Sequence, residues 1–141
     1  MLELKDEYQK TQLTIFEVEK EVIWGSVKIK IQISNRNFNA TFDSIIEGVW
    51  LSFTEIESFI QALEILEKSR DGEATLTALD TNEFHLKIFN IDKLGHLAAE
   101  VEIEKGISPF KTKILSTFEI DPSSIPKIIF ELQKFIKSNS L

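Results

Sequence analysis

Residues 25–34 read GSVKIKIQIS, and this run decides the fold. Val27, Ile29, Ile31 and Ile33 recur at every second position with Lys28, Lys30 and Gln32 between them. That is the period of an extended chain with one dry face and one wet face. Asn35, Arg36 and Asn37 then supply turn chemistry, and Phe38, Ala40 and Phe42 resume the alternation, so a hairpin is expected. Upstream, residues 13–18 also read as a strand. Downstream, Thr54 is the expected N-cap of a helix, with Glu55 and Glu57 in its first turn, where carboxylates meet the positive end of the helix dipole. Ile56, Phe59, Ile60, Leu63 and Leu66 follow at three- and four-residue intervals and form one apolar stripe. Asp71 and Gly72 are expected to close it.

The second half repeats this grammar. Residues 74–79, 84–89, 97–104 and 111–120 read as strands, broken at Asn82, Asp92, Gly95 and Gly106. Ser123 resembles a cap, Pro126 suits a first helical turn, and Ile125, Ile128, Ile129, Leu132 and Phe135 form a second stripe. An offset of 69 carries the first stripe onto the second with all five positions apolar, whereas the strand at 27–33 maps onto 97–103 with an offset of 70. An internal pseudo-repeat is one reading; the other is that any two amphipathic helices can be slid into register. Short turns between alternating strands make an antiparallel sheet, and two apolar stripes are what its dry face would bury. The expected fold is therefore α+β: about seven to eight antiparallel strands packed with two amphipathic helices, in a single domain over residues 1–141.

Composition narrows the function classes. A chain of 141 residues with 43% hydrophobic content and 11 Phe can bury a core without staples. With no cysteine there is no thiolate nucleophile, zinc knuckle or disulfide framework. Sixteen basic side chains against 23 acidic ones leave a net charge of −7, which opposes nonspecific attachment to nucleic acid or anionic lipid. The first twenty residues contain no apolar run with a cleavage site, and the apolar stretch at 45–53 is too short for a membrane span. A soluble, cytoplasmic protein is expected.

Signatures of catalysis are missing. His85 and His96 are the only histidines, with no H-E-x-x-H and no His–Asp pairing at usable spacing, so a metal site is not expected. His85 belongs to a strand opposite its apolar face, and His96 follows a turn glycine. No G-x-S-x-G marks a nucleophile elbow, and neither glycine-rich phosphate motif occurs among the five glycines. No enzyme activity and no cofactor are expected.

The acidic pattern is more informative. Glu100, Glu102 and Glu104 line the wet side of one strand, and Glu17, Glu19 and Glu21 form a second cluster. Either row can be a docking stripe for a basic partner. Equally, Lys28 and Lys30 on a neighbouring strand can neutralise the first row, and the second can be solvated loop charge. Trp24 and Trp50 are large enough to serve a core or an interface. Both are expected at the core or its rim, with Trp50, in the apolar 45–53 stretch, able to cover a sheet edge or meet a partner.

Trp24 before the strand at 27–33, Phe38, the helix around Phe59 and Leu63, Gly72-Glu73-Ala74 and Leu94-Gly95-His96 stand in an order that resembles the WapI-like immunity proteins of bacterial polymorphic-toxin systems. Phe118-Glu119-Ile120-Asp121, Ser124-Ile125-Pro126 and the stripe Ile128, Ile129, Leu132 complete the resemblance over nearly the whole chain. Residues 43–52 are longer and more apolar than that family's usual passage into its first helix. The resemblance implies a nonenzymatic antidote whose partner is the toxic C-terminal domain of a delivered toxin, often a nuclease, and a monomer is favoured. It carries no contact residue over to this chain; the charge and aromatic pattern offers Glu17, Glu19, Glu21, Trp50, Glu100, Glu102 and Glu104 as candidate contacts. Two other readings stay open: a small-ligand or catalytic domain with a polar pocket between sheet and helices, and a self-associating scaffold.

Overall fold

Strict alternation along the chain produces eight strands, and the two stripes produce two helices. The computed structural model describes residues 1–137 apart from Glu7, Gln9, Phe38 and Thr81. The hairpin position expected at Phe38 lies outside the described residues. In chain order the elements are β1 (Leu2–Lys5), β2 (Thr11–Glu21), β3 (Ser26–Asn37), β4 (Ala40–Ser52) and α1 (Phe53–Ser69). There follow β5 (Glu73–Thr77), β6 (Phe84–Asn90), β7 (Leu97–Ile107), β8 (Phe110–Ile120), a 3-10 turn (Pro122–Ser124) and α2 (Ile125–Ile136). The fold is α+β.

The strands divide into two antiparallel sheets, β1-β2-β3-β4 and β5-β6-β7-β8, each followed by its helix. The chain is thus a four-strand-plus-helix unit written twice. The helices exchange places: α1 packs on β5 of the second sheet, α2 reaches β1 of the first, and the two helices pack on each other. One apolar cluster joins both inner faces to both stripes. Leu13, Ile15, Ile29 and Ile31 meet Leu86, Ile88, Ala99 and Val101 in it, with Phe59, Leu63, Leu132 and Phe135 from the helices.

The register also explains why the strands repeat at 70 and the helices at 69. Ile31 pairs with Ile46 and Val101 with Ser116, an offset of 70 on both strands. Ile29 then pairs with Val49 and Ala99 with Phe118, so the β4-to-β8 offset has dropped to 69. The difference is one extra residue in β4, a bulge at Glu47 and Gly48 opposite Lys30. Everything after it, α1 included, inherits the shorter offset.

Helix ends differ from the sequence expectation. The first cap is Ser52, whose Oγ accepts from Glu55 N–H at 3.0 Å, and not Thr54, which already lies inside the helix. Arg70, with φ of 57°, takes the left-handed closing position ahead of Asp71 and Gly72. Before α2, Asp121 and not Ser123 does the capping: its carboxylate accepts from Ser123 N–H at 2.9 Å.

Candidate functional site

The two sheets differ most where the first is irregular. On β2, Glu17 stands opposite Ile29 and Glu19 opposite Lys28, which leaves Val18 without a counterpart. On β4, Glu47 and Gly48 together face Lys30. Both bulges therefore flank the same short section of β3, whereas the register of the second sheet runs without a break. A bulged strand bends and re-aims its side chains. Between these two lies a groove of about 600 Å³ on the outer face, lined by Phe16, Glu17, Lys28, Lys30, Glu47 and Gly48 among others.

Charge and aromatic surface alternate across this face. Lys28 Nζ lies 4.0 Å from Glu19 Oε1 and 6.0 Å from the centre of the Trp50 ring, so Glu19, Lys28 and Trp50 form one row across β2, β3 and β4. Lys30 Nζ sits 4.8 Å from the Phe16 ring centre in the next row. The bulge at Val18 reverses the alternation of β2, so Lys20 turns inward to bond Glu17 at 3.0 Å and the end of α2. Glu19 and Trp50 thus share one surface, with Glu21 exposed at the end of the same strand, whereas Glu17, opposite Ile29 and bonded to Lys20, stands at the bulge where the groove opens.

Glu100, Glu102 and Glu104 lie elsewhere, on the outer face of the second sheet. Their counter-ions are not Lys28 and Lys30, which belong to the first sheet. Lys113 reaches Glu102 at 2.6 Å and Lys111 reaches Glu104 at 2.9 Å, both from β8; Lys87 stands opposite Glu100, but its Nζ lies 3.8 Å from Glu73. The Lys111 hydrogen bond holds the Glu104 carboxyl below its ordinary range, and the bond that Lys113 donates to Glu102 raises Lys113. This row is largely discharged by cross-strand pairs.

Two further expectations are corrected. His96 does pair with an aspartate: its Nδ1 lies 2.5 Å from Asp92 Oδ2, because the loop before β7 curls until residues four apart meet. The pair is half-exposed on that loop and lines none of the grooves described here. Trp24 is not in the core; it is 82% exposed at the β2–β3 turn beside exposed Val22 and Ile23. The signal was available, since alternation ends at Glu21 and Gly25 follows with φ of 62°. Phe16 was missed as a surface residue because an isolated aromatic gives no sign of which face it takes.

Among the described residues the polar residues buried as a whole are Thr11, Thr14 and Ser26, and the Lys20 side chain, 6% exposed, is bonded to Glu17 and the end of α2. No group of three or more His, Asp or Glu residues among them could hold a metal ion. No helix among them is long and apolar enough to cross a membrane.

Neither a curated protein nor a solved structure matches the chain. The family model described as the immunity protein WapI-like family matches residues 2–139. A match of that extent spans both four-strand-plus-helix units, the doubly bulged face and the exchanged helices, and the chain belongs to the WapI-like immunity protein family.

Proposed function

We propose that the protein acts as a single unit that binds the toxic C-terminal domain of a cognate polymorphic toxin and holds it inactive by occupying its surface. The family match carries this reading. A net charge of −7 favours a basic partner, as a nuclease that grips phosphate must be. The antidote works in the cytoplasm as a monomer, without a cofactor.

The outer face of the first sheet is the first choice of contact surface. Glu19 and Glu21 provide charge there, with Glu17 at the bulge beside them, and Trp50 provides a large, rigid contact beside Lys28. Glu100, Glu102 and Glu104 form the second choice: in either row two of the three glutamates have a lysine partner, and the first face is preferred for Trp50 and its two bulges.

The test is co-expression with the C-terminal domain of a candidate cognate toxin, taken from the genes flanking this one. Wild-type protein is expected to restore growth and to bind that domain with an affinity that falls as salt rises. Glu19→Lys with Glu21→Lys and Trp50→Ala should weaken binding without unfolding the protein. A toxin domain that kills equally with and without the wild-type chain overturns the reading.

A further inference from the structure

We propose that the partner contributes an extended strand, alternating apolar and basic residues, that pairs with the free edge of β4 and seats its apolar side chains between β4 and β8. This deepens the toxin-binding reading and rests on it.

Four sheet edges exist, and the fold treats them unequally. α2 packs against β1 and α1 against β5, whereas among the described residues β4 and β8 end their sheets with no strand beyond them, and Leu79 N–H meets the β4 edge at Trp50 O, 2.9 Å away, outside the section at 40–46. An uncovered edge presents backbone donors and acceptors to any extended chain unless charge or proline guards it. The section of β4 at residues 40–46 contains neither lysine nor proline, and its one charge, Asp43, repels only an acidic strand. The lysines of β8 do not guard their edge either, because Lys111 and Lys113 are drawn to Glu104 and Glu102.

A groove of about 410 Å³ opens between these edges, lined by Ile33, Asn35, Phe42 and Ser44 from the first sheet and by residues 113–116 of β8. Phe42 and Leu115 at its rim are 65% and 59% exposed. Asn35 donates from Nδ2 to Thr11 Oγ1 at 2.6 Å, but its Oδ1 is shut off from solvent and accepts no hydrogen bond among the described residues. Reversing the amide only exchanges which end is left alone. An orphaned amide is costly when buried, and a polar side chain that the docked strand sends into the groove can supply the donor or the acceptor it lacks.

Charge selects the occupant. Asp43 and Glu47 reach the outer side of β4, and neither has a lysine or arginine nitrogen within 4.0 Å among the described residues. Asp43 accepts only from Ser34 Oγ, at 2.7 Å. A second copy pairing β4 with β4 would face these carboxylates with its own, so self-association is disfavoured. A partner strand with basic residues outward and apolar residues inward answers both faces at once.

Hydrogen exchange on the full chain, alone and with that candidate toxin domain, tests the pairing. Amides within residues 40–46 should slow by about tenfold or more on binding, the signature of new backbone hydrogen bonds. Asp43→Lys and, separately, Phe42→Glu should each weaken binding by about tenfold or more with an unchanged melting temperature, both sites being exposed. Strong binding with no added protection at 40–46 overturns the strand docking and leaves the toxin reading intact. Protection there in the absence of toxin, with a dimer in sedimentation, assigns the edge to a second copy and overturns it too. No binding by the wild-type chain defeats both.

Discussion

Lys20 Nζ lies 2.6 Å from the carbonyl oxygen of Lys137, so a side chain of the first sheet closes the C-terminus of the last helix. It also bonds the Lys134 carbonyl at 3.0 Å and Glu17 at 3.0 Å, with its own side chain 6% exposed. A cation is what the negative end of a helix dipole requires. The β2 bulge makes the contact possible, since in regular alternation Lys20 would face outward.

Lys20→Met should therefore destabilise the protein by about 1–3 kcal/mol, the worth of charge-assisted bonds to a helix end. Urea denaturation would measure it. Loss of less than a few tenths of a kcal/mol would mean that the bulge does not turn Lys20 inward.

Gly48 and Gly106 separate two reasons for glycine. Gly48 has φ of 77° and nothing within 4 Å of where a Cβ would stand, so Gly48→Ala should cost only backbone strain, about 1–2 kcal/mol. Gly106 has φ of 119°, and a Cβ there would lie 2.2 Å from the Phe110 carbonyl oxygen, so Gly106→Ala must also open the β7–β8 hairpin. Denaturant midpoints should fall in the order wild type, Gly48→Ala, Gly106→Ala.

Asp121 makes stability depend on acid. The Ser123 backbone N–H first, and the Ser123 side chain second, hold its carboxyl below the ordinary 3.8. A depressed carboxyl favours the fold while ionised, so its contribution is complete above about pH 4 and is lost as pH falls through the lowered value. Asp121→Asn keeps a capping oxygen but removes the titration. Its melting temperature should fall less steeply than that of the wild type below pH 4. Parallel curves would show that Asp121 is not the capping acid.

The strands and helices were legible wherever the spacing of large apolar residues was unambiguous. Ile29 to Ile33 and Phe59 to Leu66 announce their period because one face must be dry. β1 was not legible: Leu2 and Leu4 make an alternation of only two, and they become a strand by pairing with Ile15 and Leu13. Likewise Thr54 matched a capping pattern, but where β4 yields to α1 depends on Phe53 N–H bonding Gly25 O at 2.7 Å, a contact between residues 28 apart.

The candidate surface was legible in part. Runs of glutamate at alternate positions are readable as rows, yet which row keeps its charge depends on the strand beside it. Lys111 and Lys113 quench Glu104 and Glu102, whereas Glu47 on the bulge has no such neighbour. Trp24 and Trp50 look alike as letters; one crowns a turn and the other lies across Lys28.

The sequence by itself determined the two alternations of strand and helix, the apolar stripes, the acidic balance and even the mismatch between offsets of 70 and 69, because each is a matter of spacing along the chain. Only the tertiary structure decided that the eight strands split into two sheets, that each unit lends its helix to the other, and that the extra residue is a bulge opposite Lys30. Those outcomes depend on which hydrogen-bonding edge finds which partner. Such choices are made between distant segments competing for the same core, and periodicity does not encode them.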